Sequence, residues 1–175
     1  MSAITDFFIR DGEDHRSRTL DNILEMSDYQ IEASHDSIQW MFPLHERSYH
    51  STTAPVLTAE DIGELQNSYK AKINMGKMFD RICKFLGLGE HRDTRKQDAW
   101  CHAGNHNLLR VTRIIRSLRL FGLNSQATYM HYLASDAAKN RGIPDITFKY
   151  WDDALNEDLD HSMTARFLDD KRIDL

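Results

Sequence analysis

Apolar residues recur along most of this chain at intervals of three and four positions, which is the spacing of one face of an α-helix. The regular alternation of a strand is not sustained in any segment, and only three prolines, at positions 43, 55 and 144, interrupt the pattern. The pattern predicts an all-α fold, a single-domain bundle of about five to seven helices spanning residues 1–175. We expect its core to occupy residues 14–155 and the tail, residues 156–175, to be helical or loose.

The first predicted helix begins after Ser27, because the hydroxyl of Ser27 and the side chain of Gln30 have the spacing of a capping box. It ends at Pro43, since proline disfavours helical backbone geometry in the residue before it. The next segment, residues 43–57, contains two prolines and has no clear period. We therefore predict a loop that is exposed or partly packed.

A second capping box, formed by Thr58 and Asp61, predicts a longer helix whose apolar positions keep the helical spacing as far as Gly87. Gly87 is the kind of residue that ends a helix in the left-handed conformation. Residues 87–104 are charged and punctuated by glycine, so we predict an exposed connection with Trp100 as its aromatic anchor. Three more helices are predicted, over residues 107–121, 125–141 and 145–155.

The predicted helix over residues 107–121 is apolar on two opposite sides, which is typical of a helix in the centre of a bundle. Its arginines recur every third position and therefore wind around the helix instead of sharing one solvated face. A buried guanidinium needs an acceptor, because its desolvation costs several kcal/mol. Two interpretations stay open, internal pairing with acids such as Glu32, Asp36 or Asp80, and a site for an anionic ligand. The four arginines are Arg110, Arg113, Arg116 and Arg119.

The charge balance argues against a surface built as a whole for nucleic acid, since 22 basic residues stand against 27 acidic ones and the net charge is -5. The two cysteines, Cys83 and Cys101, lack the spacing of a disulfide-rich protein, so we expect thiols in a reducing compartment. The N-terminal residues have no apolar run long enough for a signal peptide, and no stretch of about 20 apolar residues could span a bilayer. These observations predict a cytoplasmic protein.

Two long stretches, HDSIQWMFPLHERSYHSTTAPVLT at residues 35–58 and HNLLRVTRIIRSLRLFGL at residues 106–123, resemble the conserved N-terminal region of the opioid growth factor receptor family. The resemblance covers roughly residues 14–141, about the size of one globular domain. It implies a helical domain, and vertebrate members of the family are described as nucleus-associated receptors for an opioid pentapeptide that restrains cell growth. Those proteins also carry an N-terminal extension and a C-terminal region with repeats, so we expect this chain to be a minimal, stand-alone version of the domain.

The first predicted helix carries a narrow apolar stripe made of Ile31, Ile38 and Phe42 with His35 among them. His35 is therefore predicted to face the core, either as a hydrogen-bonded core residue or as the floor of a pocket. Gln39 lies on the flank of the stripe, and Trp40 lies nearly opposite. We predict that Trp40 packs against the loop over residues 44–57, which would fold back across it.

These features together predict a non-enzymatic binding or signalling module, with a pocket or groove formed by residues 35–57 and the arginine-bearing helix. The expected partner is a peptide, a protein or a small anionic ligand, without a cofactor or a metal, and the oligomeric state is left open. The predicted ligand-binding residues are His35, Gln39, Trp40, His106, Asn107, Arg110, Arg113 and Arg116.

Two alternatives remain at this point. The first is an uncharacterised enzyme that uses the segment His91 to His106, with a metal as one option, since His102 and His106 stand four positions apart beside Cys101. A third ligand at a recognised spacing is not evident. The second alternative is binding of nucleic acid or another anionic ligand through the arginine helix. The net charge of -5 and the occurrence of such arginine spacing in solvated helices argue against nucleic acid.

Overall fold

The computed structural model describes residues 2–48 and 53–159, and this part of the chain is all-α, as predicted. It contains ten α-helices, more than the expected number, because two predicted helices are each divided and three short helices were not predicted. A 3-10 helix covers Gly89–His91, and Leu44 forms an isolated bridge with Val56. The α-helices are α1 Ala3–Ile9, α2 Leu20–Leu24, α3 Asp28–Ala33, α4 Ser37–Met41, α5 Ala59–Asn67, α6 Tyr69–Leu86, α7 Thr94–Trp100, α8 His106–Leu120, α9 Asn124–Ala138 and α10 Asp145–Asn156.

Capping boxes start the short helices of the N-terminal part of the chain. The two predicted boxes, at the starts of α3 and α5, are confirmed. The helices α1 and α2 also begin with such boxes, but their third helical position holds Thr5 and Asn22, whereas the two predicted boxes hold Gln30 and Asp61 there. This difference explains why the sequence pattern did not predict them.

The prediction of one helix from Asp28 to Pro43 is wrong, because the backbone leaves the helix between α3 and α4. In this turn the hydroxyl of Ser34 donates to the carboxylate of Asp36 at 2.7 Å and accepts from the backbone N–H of Ser37 at 3.2 Å. Local side-chain bonds of this kind compete with the helical ladder. The turn also moves His35 off the apolar stripe, so His35 is exposed and the prediction that it faces the core is wrong.

The second predicted helix is divided at Ser68, whose backbone is extended. The hydroxyl of Ser68 accepts from the backbone N–H of Ala71 at 3.1 Å and so caps the start of α6. From there α6 runs without interruption to Leu86, and Gly87 follows in the left-handed conformation, as predicted. None of the helices in the described residues is both long and apolar enough to cross a lipid bilayer.

The described chain divides into two compact units, with the boundary inside α6. The second unit is Met78–Asp158, and the remaining described residues, up to Lys77 with Leu159, belong to the first. That residues 1–175 act as one domain therefore stays a prediction. Most of the predicted tail, residues 160–175, lies outside the described residues.

In the first unit the core is built around the rings of Phe7 and Trp40, which make an edge contact at 5.3 Å between centroids. Trp40 is also stacked on His15 at 6.2 Å. That Trp40 packs against the loop over residues 44–57 stays a prediction, but its aromatic partners among the described residues come from the N-terminal segment. The reason is α1, which was not foreseen and which packs against α5 with Phe7 fully buried.

In the second unit α8 is the central element and packs against α7, α9 and α10. No residue of the segment 107–121 is exposed, which confirms the predicted central position of the arginine-bearing helix. The fully buried indole of Trp151 in α10 donates to the backbone carbonyl of Leu108 at 3.1 Å. Trp100 is the predicted aromatic anchor, and its indole donates to the carbonyl of Leu86 at 2.9 Å. The connection around Trp100 is more ordered than predicted, because it includes α7.

Candidate functional site

The arginines of α8 bind acceptors inside the second unit. Arg110 is buried and donates to the side-chain oxygen of Asn107 at 3.0 Å. Arg116 is also buried and pairs with the carboxylate of Glu157 at 2.5 Å. Glu157 was not among the acids that we expected to pair with this helix. For Arg116 the interpretation of internal pairing therefore has direct support.

Arg119 binds the C-terminal end of α10. Its two terminal nitrogens donate to the backbone carbonyls of Ala154 at 2.9 Å and of Glu157 at 2.6 Å. The last carbonyls of a helix have no partner within it, and a cation placed there also interacts favourably with the helix dipole. Burial lowers the pKa of Arg119 from its ordinary value while Glu157 opposes this shift, and a guanidinium stays charged under such conditions.

The predicted ligand-binding residues are divided between the two units. His35, Gln39 and Trp40 lie in the first unit. The predicted residues of α8 lie in the second, where Asn107, Arg110 and Arg116 are buried and His106 and Arg113 are half-buried. A groove shared by the segment 35–57 and the arginine helix, together with the ligand-binding roles assigned to these residues, stays a prediction.

Gln39 and Trp40 are buried, and each carries one polar atom that has no hydrogen-bond partner among the described residues. The side-chain nitrogen of Gln39 donates to the hydroxyl of Ser48 at 2.9 Å, which ties the end of α4 to the following loop. Its side-chain oxygen and the indole nitrogen of Trp40 are the two atoms without a partner. Gln39 therefore holds the start of the loop, but Gln39 and Trp40 do not use all of their hydrogen-bonding capacity among the described residues.

The first unit contains an open cleft of about 490 Å³. The exposed ring of Tyr29 and the side chain of Met26 contribute apolar surface to its wall. The rest of the wall is mostly polar, which matches the mixture of apolar surface and a few convergent polar groups seen in many ligand sites. Its polar and charged lining includes His15, Arg16, Arg18, Ser34, His35 and Asp36.

Asp36 is the centre of the charged part of the cleft. One of its carboxylate oxygens lies 2.6 Å from Nε of Arg16, 3.1 Å from Nη2 of Arg18 and 3.2 Å from Nε2 of His15. Burial favours a higher pKa for Asp36. The hydrogen bond from Ser34 and the charges of Arg18 and Arg16 outweigh it, so the pKa of Asp36 lies below its usual range. Asp36 is therefore ionised at neutral pH.

The two arginines of the cleft are satisfied to different degrees. Arg18 also donates from Nε to the fully buried carboxylate of Asp14 at 2.7 Å, and only 20% of its side chain is exposed. In Arg16 the exposed fraction of the side chain is 63%, and its guanidinium makes one ion pair, with Asp36. The two Nη groups of Arg16 have no hydrogen-bond partner among the described residues. Arg16 therefore keeps unused donors at the cleft.

The histidine-rich segment 91–106 does not assemble a metal site in the described structure. His91 contacts the carboxylate of Asp80 at 2.8 Å, and the ring of His102 contacts the side-chain nitrogen of Asn105 at 3.1 Å. Throughout residues 2–48 and 53–159, no group of three or more histidine, cysteine, aspartate or glutamate side chains could hold a metal ion. The metal option of the enzyme alternative thus has no candidate ligand group among the described residues.

Cys101 lies beside this segment, and its thiol is buried. Burial raises the pKa of Cys101 to about 12, and the nearby Arg141 offsets only part of this effect. Burial likewise raises the pKa of Cys83 to about 12. Because the thiolate is the reactive form of cysteine, neither residue is activated as a nucleophile at neutral pH.

Comparison with known proteins places these elements in a family. The model described as the opioid growth factor receptor (OGFr) conserved region matches residues 19–159, most of the chain. The chain belongs to the opioid growth factor receptor family. The family region includes His35, Asp36 and all of α8, but it begins after His15, Arg16 and Arg18. The basic residues of the cleft, His15, Arg16 and Arg18, therefore precede the matched opioid growth factor receptor region in the sequence.

Relatives in the opioid growth factor receptor family are distant in sequence. The opioid growth factor receptor of Rattus norvegicus is 27% identical over 129 residues, which are 66% of this chain and 22% of the relative. The opioid growth factor receptor of Homo sapiens is 25% identical over 127 residues, 66% of this chain and 19% of the relative. Opioid growth factor receptor-like protein 1 of Rattus norvegicus is 28% identical over 130 residues, 68% of this chain and 28% of the relative.

The aligned part of this family member thus spans less than a third of the length of each of these relatives. No solved structure matches the chain. The family assignment therefore concerns the conserved region and not the whole of the longer proteins.

Sequence reasoning did not single out the basic residues of the cleft in this family member. His15, Arg16 and Arg18 stand close together after Asp14, and this density of basic residues was a usable signal. The segment has no helical period, so the pattern of helix faces gives no signal there. Asp36 was named only as a partner for the arginines of α8, whereas the structure pairs it with Arg16 and Arg18.

Proposed function

We propose that this member of the opioid growth factor receptor family is a non-enzymatic binding module that holds a short peptide in the cleft of its first unit. The observation that carries the proposal is the cleft itself, about 490 Å³ in volume, in which the exposed Tyr29 stands with the ion-paired group around Asp36. This volume lies in the range of about 300–1,000 Å³ typical of ligand sites. A peptide combines charged ends with apolar side chains and so fits such a wall.

The relatives supply a second line of support. Their name, opioid growth factor receptor, designates proteins that receive a growth factor. For this chain we propose the corresponding property in its general form, the binding of a peptide with a role in signalling. A cytoplasmic location is part of the same proposal, and a fluorescent fusion protein would test it directly.

The arginines of α8 have less support as the main binding site. Arg116 and Arg119 already bind Glu157 and the end of α10. An anionic ligand or a nucleic-acid phosphate would have to displace these partners from a helix with no exposed residue between positions 107 and 121. A binding site that leaves the internal ion pair intact costs less free energy.

The proposal can be tested by filling the cleft. Ala33 lines the cleft and is exposed at the end of α3, so Ala33→Trp should block access without disturbing the core. The matched control is Ala59→Trp, at another exposed helical position of the same unit. Binding is measured by the shifts of backbone amide signals in nuclear magnetic resonance spectra, with a synthetic opioid pentapeptide and a set of defined pentapeptides of different sequence as probes.

We expect at least one peptide to shift signals of the residues around Tyr29 and Asp36 in the unmodified protein and in the control variant. In the Ala33→Trp variant these shifts should disappear. Equal binding by Ala33→Trp, or shifts confined to the second unit, would contradict the proposed site.

A further inference from the structure

We infer that the ligand of this cleft presents a carboxylate group and that this group binds the two unused Nη groups of Arg16. The inference rests on the proposed function, because it concerns the same cleft, and it adds the chemical class of the group that is recognised. It assigns to Arg16 a binding role that is different from the structural role of Arg18 beside it.

The first support is the bonding state of Arg16. Its guanidinium approaches Asp36 through Nε at 2.6 Å, and its two Nη groups have no partner among the described residues. These groups carry four N–H donors in one plane. A planar carboxylate can accept two parallel hydrogen bonds from such an edge, which is among the strongest arrangements of a charged pair.

The second support is the way in which Arg16 is held. Its backbone N–H donates to the buried carboxylate of Asp14 at 2.8 Å, and the same oxygen accepts the backbone N–H of Arg18 at 3.0 Å. At the other end, Asp36 holds the guanidinium. Because the backbone and the tip of the side chain are both fixed, a ligand that binds the tip immobilises little additional structure. The exposed donors are therefore prepared for binding before the ligand arrives.

The third support is the charge of the described lining. The guanidinium groups of Arg16 and Arg18 are balanced by the carboxylates of Asp36 and Asp14, so this group of four side chains has no net charge. A bound carboxylate therefore adds one negative charge beside Asp36. A phosphate monoester adds about 1.5 to 2 negative charges at pH 7 and would be repelled more strongly by Asp36. The charges therefore favour a carboxylate over a phosphate.

The fourth support is the apolar surface in the same cleft. Tyr29 is 82% exposed although its ring is large, and Met26 also lines the cleft. An aromatic side chain of a ligand can pack against such a ring, and this contact adds to the effect of burying its apolar area. The C-terminal residue of a peptide joins a carboxylate to a side chain, so a C-terminal aromatic residue matches both parts of the wall.

Three small probes separate these contributions. N-acetyl-L-phenylalanine carries the carboxylate and the ring, its amide carries the ring without the charge, and phenyl phosphate carries the ring with a phosphate. Each is titrated into the full chain while the backbone amides and the Nε signals of the arginines are followed by nuclear magnetic resonance. We expect N-acetyl-L-phenylalanine to shift Arg16 and Tyr29 and to bind about tenfold more tightly than the amide, as the loss of one charge-assisted pair implies. It should also bind more tightly than phenyl phosphate, whose larger negative charge is repelled by Asp36.

Variants of Arg16 test the assignment itself. Arg16→Gln should weaken the binding of N-acetyl-L-phenylalanine about tenfold while leaving the binding of the amide unchanged. Arg16→Lys keeps the charge but loses the planar pair of donors, so its affinity should lie between those of Arg16→Gln and the unmodified protein. The matched control is Arg10→Gln, since Arg10 is an ion-paired and partly exposed arginine of the same unit outside the cleft. Thermal unfolding verifies that each variant is folded.

The outcomes distinguish the inference from the function on which it rests. If the acid and its amide shift the cleft equally and bind equally, the inference about the carboxylate is overturned while the binding cleft stands. Tighter binding of phenyl phosphate, or unchanged affinity in both Arg16 variants, would also overturn it. If none of the probes shifts the cleft, the inference falls, and if the pentapeptides also leave it unshifted, the proposed function falls with it.

Discussion

Two regions of this protein concentrate arginine, and they use it in opposite ways. In α8 the guanidinium of Arg116 is buried on Glu157, and that of Arg119 binds the last carbonyls of α10. In the first unit Arg16 is largely exposed and has one ion pair, with Asp36. Arginine thus links α8 to α10 in the second unit, whereas in the first unit it has hydrogen-bond donors without an acceptor among the described residues.

The difference shows that the number and spacing of arginines do not decide their role. What decides it is how many of the N–H donors already have an acceptor in the folded chain. Arg119 supplies hydrogen bonds that the C-terminal turn of α10 cannot make internally, so it acts as a C-terminal cap for this helix. The two Nη groups of Arg16 have no acceptor among the described residues, which makes Arg16 the better candidate for recognition.

The largest expected effect in this comparison comes from Arg116→Met. Methionine retains much of the buried volume but leaves Glu157 without this cation. Removing one member of a buried pair costs about 3–5 kcal/mol. Because 32% of the Glu157 side chain is exposed and can be hydrated, we expect a lower cost, about 2–3 kcal/mol in the free energy of unfolding. Urea unfolding followed by circular dichroism measures this change.

The control for Arg116→Met is Arg95→Met, because Arg95 is 91% exposed and pairs with Asp93 on the surface of the second unit. This change should alter the free energy of unfolding by less than about 0.5 kcal/mol. Similar values for the two variants would mean that the ion pair with Glu157 does not hold α8 and α10 together.

A smaller effect is expected from Asp36→Asn, which removes the charge shared by Arg16, Arg18 and His15. A hydrogen bond or ion pair to a charged group contributes about 1.5–3 kcal/mol when buried. The contacts of Asp36 are partly solvated, so we expect a loss of about 1–2 kcal/mol at pH 7.

The loss caused by Asp36→Asn should depend on pH in a defined direction. The pKa of Asp36 in the folded chain lies below the ordinary value of 3.8. The stabilisation is therefore complete above that ordinary value and disappears as the pH falls through the lower, folded-state value. The difference in the free energy of unfolding between the unmodified protein and Asp36→Asn should be constant near neutrality and shrink below about pH 4.

The exposed ion pair of Asp11 with Lys70 offers a control in the same unit. For Asp11→Asn the free energy of unfolding should change little at any pH, because the pair is exposed on both sides. A difference between unmodified protein and Asp36→Asn that grows as the pH falls would contradict the assigned direction of the pKa shift.

Much of the fold could be predicted from sequence, and the failures have physical causes. The central position of α8 followed from a helix that is apolar on two sides, and the starts of α3 and α5 followed from capping boxes. The break at Ser34 was missed because its hydrogen bonds with Asp36 and Ser37 compete with a helical period that the sequence does carry. The spacing of apolar residues shows where a helix can form, and hydrogen bonds from side chains to the neighbouring backbone determine where it ends.

The candidate site was harder to predict than the fold. His35 was named, but its predicted direction was wrong because the turn before α4 rotates it out of the apolar stripe. No pattern in the sequence singles out Arg16. Its role depends on an ion pair with Asp36, 20 positions away, and such a contact leaves no periodic trace in sequence. The sequence indicated that arginines would form part of a site. Only the ion pairs in the folded chain show which arginine is structural and which has donors left for a ligand.

The smallest expected effect is also the sharpest test of the comparison, and it comes from Arg16→Met. Arg16 is 63% exposed and has one ion pair among the described residues, so its loss should change the free energy of unfolding by less than about 0.5 kcal/mol. The same substitution at Arg116 is expected to cost several times more, and urea unfolding of the two variants side by side measures the ratio. If Arg16→Met destabilises the protein as much as Arg116→Met, then Asp36 needs Arg16 to fold. The exposed arginine would then be as structural as the buried one, because its donors would matter for the ion pair and not for a ligand.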